Sequence, residues 1–260
     1  MSARHGIPTL ALVVAVVGCG ESTGPENPDF TWSATINQGD AIEIKGVNGS
    51  IMLNTSSGST ATVSATKQGQ RSDPEDVNIE VVTHAGGVTI CAVYPDVAGQ
   101  PPNECAPGDQ GHISAQDNDV EVTFWVFVPA GIDFIGKTVN GSVSGSSLAS
   151  DVFATTVNGD VTITTTELAT ALTVNGTIDV TLGLSDWDRD LLFTTVNGSV
   201  RVEVPSATNA DVRLAVTNGS ISSDFTLTEV GPGDFRGTIG AGGPDLLLAT
   251  VNGNVSLESG

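Results

Sequence analysis

Positive charge is scarce in this 260-residue chain: 9 Lys and Arg stand against 30 Asp and Glu, a formal net charge of −21. Such a field repels nucleic acid and anionic membrane surfaces, so no nucleic-acid partner is expected. The acidic residues are scattered rather than blocked, which is the pattern of a solvated surface. Histidine is scarcer still. Past the N-terminus only His84 and His112 remain, with no second His at ligand spacing. Walker-type and dinucleotide glycine motifs are absent, and no Ser-His-Asp set is suggested. Helical periodicity is nowhere sustained enough to supply βαβ crossovers. The apolar run Ile7 to Val17 is too short to span a bilayer as a mature helix.

Cysteine occurs three times, and each copy has a reading. The run Ile7 to Val17 reads as the core of a secretory signal peptide over residues 1–18, ending in Val16-Val17-Gly18-Cys19. A small residue followed by Cys resembles the bacterial lipobox, which implies Cys19 as a lipid-modified N-terminus. Acyl chains anchor through about 0.8 kcal/mol per buried CH₂. Gly20 after the Cys leans towards the outer membrane. Residues 19–29, polar with Gly and two prolines, read as a flexible tether. Cys91 and Cys105 are then an even pair in an exported chain, which suggests a disulfide worth roughly 3 kcal/mol in the chain-entropy model.

What the chain has in abundance is one tripeptide. Val-Asn-Gly or a close variant places asparagine at 48, 140, 158, 175, 197, 218 and 252. From Asn140 onward the intervals are 18, 17, 22, 21 and 34 residues, and Arg236-Gly237 would split the last as a worn copy. After each Asn-Gly comes a short alternating apolar segment, such as Ile178, Val180 and Leu182, whose period of two means a strand with one face buried. A turn every 16–22 residues is too sparse for a meander and fits one rung of a stacked solenoid. The expected fold is therefore all-β: a parallel β-helix of short rungs over residues 136–260, behind an irregular β-rich part over 30–135. In this part Val47-Asn48-Gly49 looks like an isolated early rung, residues 95–118 form a long loop, and Trp125 packs the junction.

The asparagines have a structural job in this reading. Asn and Gly tolerate the positive φ that a sharp corner needs. Stacked in register, Asn140, Asn158, Asn175, Asn197, Asn218 and Asn252 form a turn ladder, with Thr138, Thr156, Thr173, Thr195 and Thr250 as a second column. A glycan-reading face is the other use of such amides, but turn chemistry alone accounts for them.

The order of a lipobox, an early Val47-Asn48-Gly49-Ser50-Ile51, a variable loop, Val128-Pro129-Ala130-Gly131, and then Thr138-Val139-Asn140-Gly141-Ser142-Val143 with its repeats resembles the bacterial putative-adhesin families of unknown function. The resemblance covers about residues 30–258. It implies a β-helical protein, exported and often membrane-attached, with no enzyme activity, cofactor or catalytic residue to carry over.

Chemistry has few footholds. A polysaccharide lyase or hydrolase needs carboxylates and a basic residue converging on one face. Arg201 and Arg213 stand at different offsets from their Asn-Gly pairs, so they are not expected to line up. A calcium site could be built only from Asp186, Asp188 and Asp190, whose alternate spacing puts three carboxylates on one side. That segment lacks the Gly and later Glu of an EF-hand loop and is more simply a bulge, so no metal is assigned. The expectation is a non-catalytic, lipid-anchored envelope protein with a binding or structural role towards a glycan or an envelope protein. Two alternatives stand beside it: a polysaccharide-acting β-helix enzyme, and an envelope scaffold or stress-sensing component assembling through an uncapped last rung at Val251 to Leu257.

Overall fold

The computed structural model describes residues 24–260. The signal peptide, the lipobox and Cys19 lie outside the described residues. The chain builds two facing sheets, one of 10 strands (sheet A) and one of 11 (sheet B). In chain order the first strands are β1 (Phe30–Thr35), β2 (Ala41–Lys45), β3 (Ile51–Ser56), β4 (Thr60–Gln68), β5 (Asn78–His84), β6 (Gly87–Val93) and β7 (Glu121–Pro129). The middle is a regular series: β8 (Asp133–Lys137), β9 (Val143–Leu148), β10 (Val152–Thr155), β11 (Val161–Thr165), β12 (Ala169–Leu172), β13 (Ile178–Leu182), β14 (Leu191–Asn197) and β15 (Val200–Val204). The last are β16 (Ala210–Asn218), β17 (Ile221–Ser223), β18 (Thr228–Gly231), β19 (Asp234–Ile239), β20 (Asp245–Asn252) and β21 (Val255–Ser259).

Each rung is one strand of sheet B, an Asn-Gly corner, and one strand of sheet A. Thus β8 turns at Asn140 into β9, β10 turns at Asn158 into β11, and β12 turns at Asn175 into β13. Neighbouring rungs pair in parallel with matched registers, which fixes the solenoid. Period-two alternation then stacks like on like. In sheet A, Ile51, Val143, Val161, Ile178, Val200, Val255 and Ile221 fall in one register column. All but Ile221 are buried. In sheet B large and small side chains trade places: Phe193 packs in register with Ala171, and Gly136 leaves room for the Phe134 ring, whose edge a Cβ there would meet at 2.9 Å.

Chain order and spatial order part company at both ends. The asparagine corners stack as 48, 140, 158, 175, 197, 252, 218. The Asn48 rung is therefore not isolated: β2 and β3 pair directly with β8 and β9 across some 90 residues of chain. At the far end the rung β20–β21 slides between β14–β15 and β16–β17. The segment Val251 to Leu257 is thus interior, and the uncapped last rung expected there does not exist. Arg236-Gly237 is no worn corner either. It lies in β19, which runs antiparallel to β16 with Arg236 opposite Arg213.

Antiparallel strands finish both sheets at one end and sheet B at the other, where sheet A ends on the parallel strand β17. They are β1, β4 and β5 at the first end, β18 and β19 at the other. A parallel stack leaves open edges that a further chain can extend, and reversing the strand direction closes that route. Residues just before β1 also join this cap. Asp29 N–H donates to Ala65 O at 2.9 Å, and Gly24 lies against Ser64, Trp125 and Phe127.

The interior position of β20–β21 makes a prediction. These strands bury Leu246, Leu248, Val255 and Leu257 at 0 % exposure. At about 1.5–3 kcal/mol per side chain they supply roughly 6–12 kcal/mol, which is the size of a whole domain's stability. Deleting residues 245–260 is expected to abolish the cooperative melt and to open residues 205–244 to protease. A truncated chain that melts like the full one would contradict this packing order.

Candidate binding face

The corner column comes first, because it holds the rungs in register. Asn140 Nδ2 donates to Asn48 Oδ1 at 2.9 Å, Asn158 to Asn140 at 2.8 Å, Asn175 to Asn158 at 2.8 Å and Asn197 to Asn175 at 2.8 Å. Asn252 then donates to Asn197 at 2.8 Å, and Asn218 to Asn252 at 2.9 Å. Beneath it each buried threonine hydroxyl donates to the glycine carbonyl of the rung before: Thr138 to Gly49, Thr156 to Gly141, Thr173 to Gly159, Thr195 to Gly176 and Thr250 to Gly198, at 2.8–3.0 Å. The expected positive φ is found at four corner glycines, Gly49, Gly198, Gly219 and Gly253, but it is not the common reason for glycine. No corner asparagine has positive φ, and neither do Gly141, Gly159 and Gly176. The constraint is closeness: a Cβ on Gly176 would stand 1.9 Å from Gly159 O. With the amides bonded to one another and the hydroxyls to glycine carbonyls, the column is occupied as structure.

The disulfide Cys91–Cys105 closes the first part of the long loop, with Cα atoms 5.7 Å apart. Tyr94 pins both ends of the loop: its hydroxyl donates to Val120 O at 2.8 Å. A latch then holds the middle down on sheet B. Glu43, 3 % exposed, accepts from Thr89 Oγ1 at 2.8 Å and from Gly108 N–H at 2.9 Å. Lys137 Nζ lies 3.1 Å from Glu43 Oε1 and donates to Gly108 O and Asp109 Oδ1 at 2.9 and 3.0 Å. Lys45 Nζ donates to Ala106 O, and to Gln110 O at 3.1 Å. Burial pulls the Lys45 ammonium down. Burial acts the same way on Lys137, but its hydrogen bonds to Asp109 and Glu43 outweigh it and leave this ammonium above its ordinary value.

Beyond the latch the outward faces of the two sheets differ. Sheet A shows Trp125, Met52, Ser144, Thr162, Asp179, Arg201 and Ser256 in one register row, apolar and half-buried at its first two members and polar or charged after them. Sheet B shows Glu43, Ile135, Phe153, Thr170, Leu192, Leu247 and Arg213. Each member of that second row stands five residues before its asparagine. Phe153 is 37 % exposed. It floors a groove of about 420 Å³ with Ile135, Thr170, Asp133, Asp151, Arg189 and Asp190. A second groove of about 560 Å³, on the same face past Leu192, is lined by Leu247, Asp211, Arg213, Arg236, Thr238 and Asp245.

The segment Asp186 to Asp190 rims the first groove through Arg189 and Asp190. Its three acids do not converge. Asp186 accepts from Asn209 at 2.9 Å, Asp190 accepts from Asp245 N–H at 2.9 Å, and Asp188 is exposed. Trp187 between them packs against the core. Among the described residues no group of three or more His, Cys, Asp or Glu side chains is placed to hold a metal ion.

Acids and an arginine do meet here from other parts of the chain. Arg189 pairs with Asp151 Oδ2, while Asp151 Oδ1 accepts from Leu168 N–H at 3.0 Å. Burial pushes the Asp133 carboxyl up, Asp151 adds to this, and Arg189 opposes it. In the second groove Arg213 and Arg236 both clasp Asp234, and their hydrogen bonds hold its carboxyl below the usual range. Asp211 accepts from Thr238 at 2.7 Å. A glycosidase needs two available carboxylates across one bond. Asp151 has both oxygens engaged and Asp190 has Oδ1 bound to Asp245 N–H, which leaves Asp133 and one oxygen of Asp190 on the first groove. Arg201, on sheet A, is bound by Asp179, Glu203 and Glu258 and joins neither groove.

Residues 130–258 match the family model described as Toastrack DUF4097. No curated protein matches the chain at a significant level. Among solved structures, a putative cell adhesion protein from Clostridium sporogenes ATCC 15579 aligns at 7 % identity and a TM-score of 0.40, covering 90 % of this chain and 100 % of that one. A putative adhesin (BF0245) from Bacteroides fragilis NCTC 9343 aligns at 12 % identity and 0.39, covering 88 % and 96 %.

The single tyrosine allows a clean test of the loop anchor. Burial pushes the Tyr94 phenol up to about 12, against about 10 in an unfolded chain. A raised acid is deprotonated more readily when unfolded, so stability falls as pH rises above about 10. A tyrosinate absorbance titration is expected to show a midpoint near 12 in native protein and near 10 in denaturant. Coincident midpoints would mean an exposed phenol and an unpinned loop.

Proposed function

This chain is a member of the Toastrack DUF4097 family through residues 130–258, and on that premise we propose that it is an exported, non-catalytic binding protein of the bacterial envelope. It is held by a lipid on Cys19 and presents the outward face of sheet B to a glycan or an envelope protein. The observation that carries the reading is the row Ile135, Phe153, Thr170, Leu192, Leu247: four apolar side chains broken by one threonine, left outside the core on one face, running from an acid-lined groove to an arginine-lined one. Scattered single apolar side chains need no explanation, but a register-aligned row rimmed by charge has the form of a binding site. The disulfide fits an oxidising compartment. Among the described residues no helix is long and apolar enough to cross a membrane, so Cys19 is the attachment this reading needs. The formal charge of −21 argues against nucleic acid as a partner.

The meeting of Asp133, Asp151, Asp190 and Arg189 at one groove keeps a second reading in view, a polysaccharide-acting enzyme. The engaged oxygens of Asp151 favour binding over turnover. Screening the full chain against glycans and envelope extracts separates the two. Under the binding reading, Phe153→Ala combined with Leu192→Ala weakens capture at least about tenfold, the loss typical of interface anchors. No captured glycan is cut. Retained binding would move the site off sheet B, and new reducing or unsaturated ends would select the enzyme reading.

The anchor has its own test. Cells fed a palmitate analogue are expected to label the wild-type protein and not Cys19→Ala, which leaves the membrane fraction. A labelled Cys19→Ala protein would remove the lipid from the proposal.

A further inference from the structure

An asparagine followed by glycine contains a reaction waiting for freedom of movement. The glycine nitrogen attacks the asparagine Cγ, unhindered by a side chain. The Cγ–Nδ2 bond breaks, and ammonia leaves with the nitrogen's proton. Water then opens the resulting succinimide at either carbonyl, giving aspartate or isoaspartate. The reaction needs a glycine N–H that is not bound elsewhere and a side chain free to swing.

At six of the seven Asn-Gly corners the glycine N–H is held. Gly49, Gly141, Gly159, Gly176, Gly198 and Gly253 donate to the carbonyls of Asn140, Asn158, Asn175, Asn197, Asn252 and Asn218, at 2.8–3.0 Å. Their asparagine side chains are held as well, each donating its amide and accepting the next one in the ladder. The inner end is closed too: Asn48 Nδ2 donates to Asn118 O at 3.3 Å, and Gly49 is packed against the Val122 backbone.

Asn218-Gly219 heads the outermost rung. Asn218 Nδ2 donates to Asn252 Oδ1, but among the described residues no further corner lies beyond it to bind Gly219 N–H or to donate to Asn218 Oδ1. Thr217, Asn218, Gly219 and Ser220 are all exposed. We propose that Asn218 is a site of spontaneous deamidation, and that the ladder protects the six other Asn-Gly pairs from the same fate. The product turns the Nδ2 donor into a carboxylate facing Asn252 Oδ1. The isoaspartate form also lengthens the backbone at the corner between β16 and β17. Loosening this rung withdraws the Asn218 carbonyl that holds Gly253 N–H, so damage proceeds inward from one end.

Full-length protein is incubated in mildly alkaline buffer, native and in guanidinium, and mapped for isoaspartate by peptide mass analysis. In native protein Asn218 is expected to convert at least about tenfold faster than any other corner asparagine, a factor equivalent to about 1.4 kcal/mol. In guanidinium the seven converge. Native conversion spread evenly over the corners, or Asn218 as slow as the rest, would overturn the proposal. So would a difference that survives unfolding, since it would then belong to local sequence and not to the ladder.

Discussion

The spacing between rungs is the constraint from which the rest follows. Backbones stacked about 4.8 Å apart leave no room for a side chain where one corner passes over the next. Glycine is therefore fixed at the corner by the carbonyl above it, whatever its φ. That leaves a glycine carbonyl inside the corner needing a donor, and at Gly49, Gly141, Gly159, Gly176 and Gly198 the buried threonine of the following rung supplies it. The asparagine closes the outside with its own amide. One net hydrogen bond contributes only about 1 kcal/mol. A pair of them repeated at five corners sets a register that the apolar columns then deepen.

Filling the inside decides what is left outside. A strand with period two gives alternate residues to the core, and the flat stack aligns the others in rows. On sheet A the row starts at Trp125 and Met52 and passes into hydroxyls and charges. On sheet B an Ile, a Phe and two Leu remain in line, and charged groups from distant parts of the chain gather at their ends. The same geometry explains why Glu43, Lys45 and Lys137 find one another: they occupy neighbouring positions on adjacent rungs and meet under a loop that brings its own Asp109.

Much of this was readable from residues alone. Period, corner and strand polarity gave the parallel stack of short rungs and the column Asn140 to Asn252, but not the number of strands in each rung. The binding-face row was also present in the sequence, since Glu43, Ile135, Phe153, Thr170, Leu192, Arg213 and Leu247 all stand five residues before an asparagine. Aligning on the asparagines would have shown it; reading strands one at a time hid it. Lys45 and Lys137 share an offset of three in the same way. What residues could not show was the order of rungs at the ends. Asn48 joins Asn140, and Asn252 precedes Asn218, because closing a stack needs reversed strands, and where those insert depends on long-range packing that no local period encodes. Asp133, Asp151 and Arg189 were missed for a like reason: they sit on different rungs or loops and only the stack makes them neighbours.

The displaced rung has a consequence for how the molecule comes into being. A simple solenoid can be laid down rung by rung as the chain emerges from the ribosome or from a translocation pore. Here β16–β17 and its cap are made before β20–β21, yet cannot take their final places until β20–β21 arrive to lie between them and β14–β15. The far end of the stack must stay open, or open again, until that late segment is delivered. Arrival of β20–β21 thus acts as the trigger for closure, so the far end becomes rigid only after the strands that finally flank it have been made.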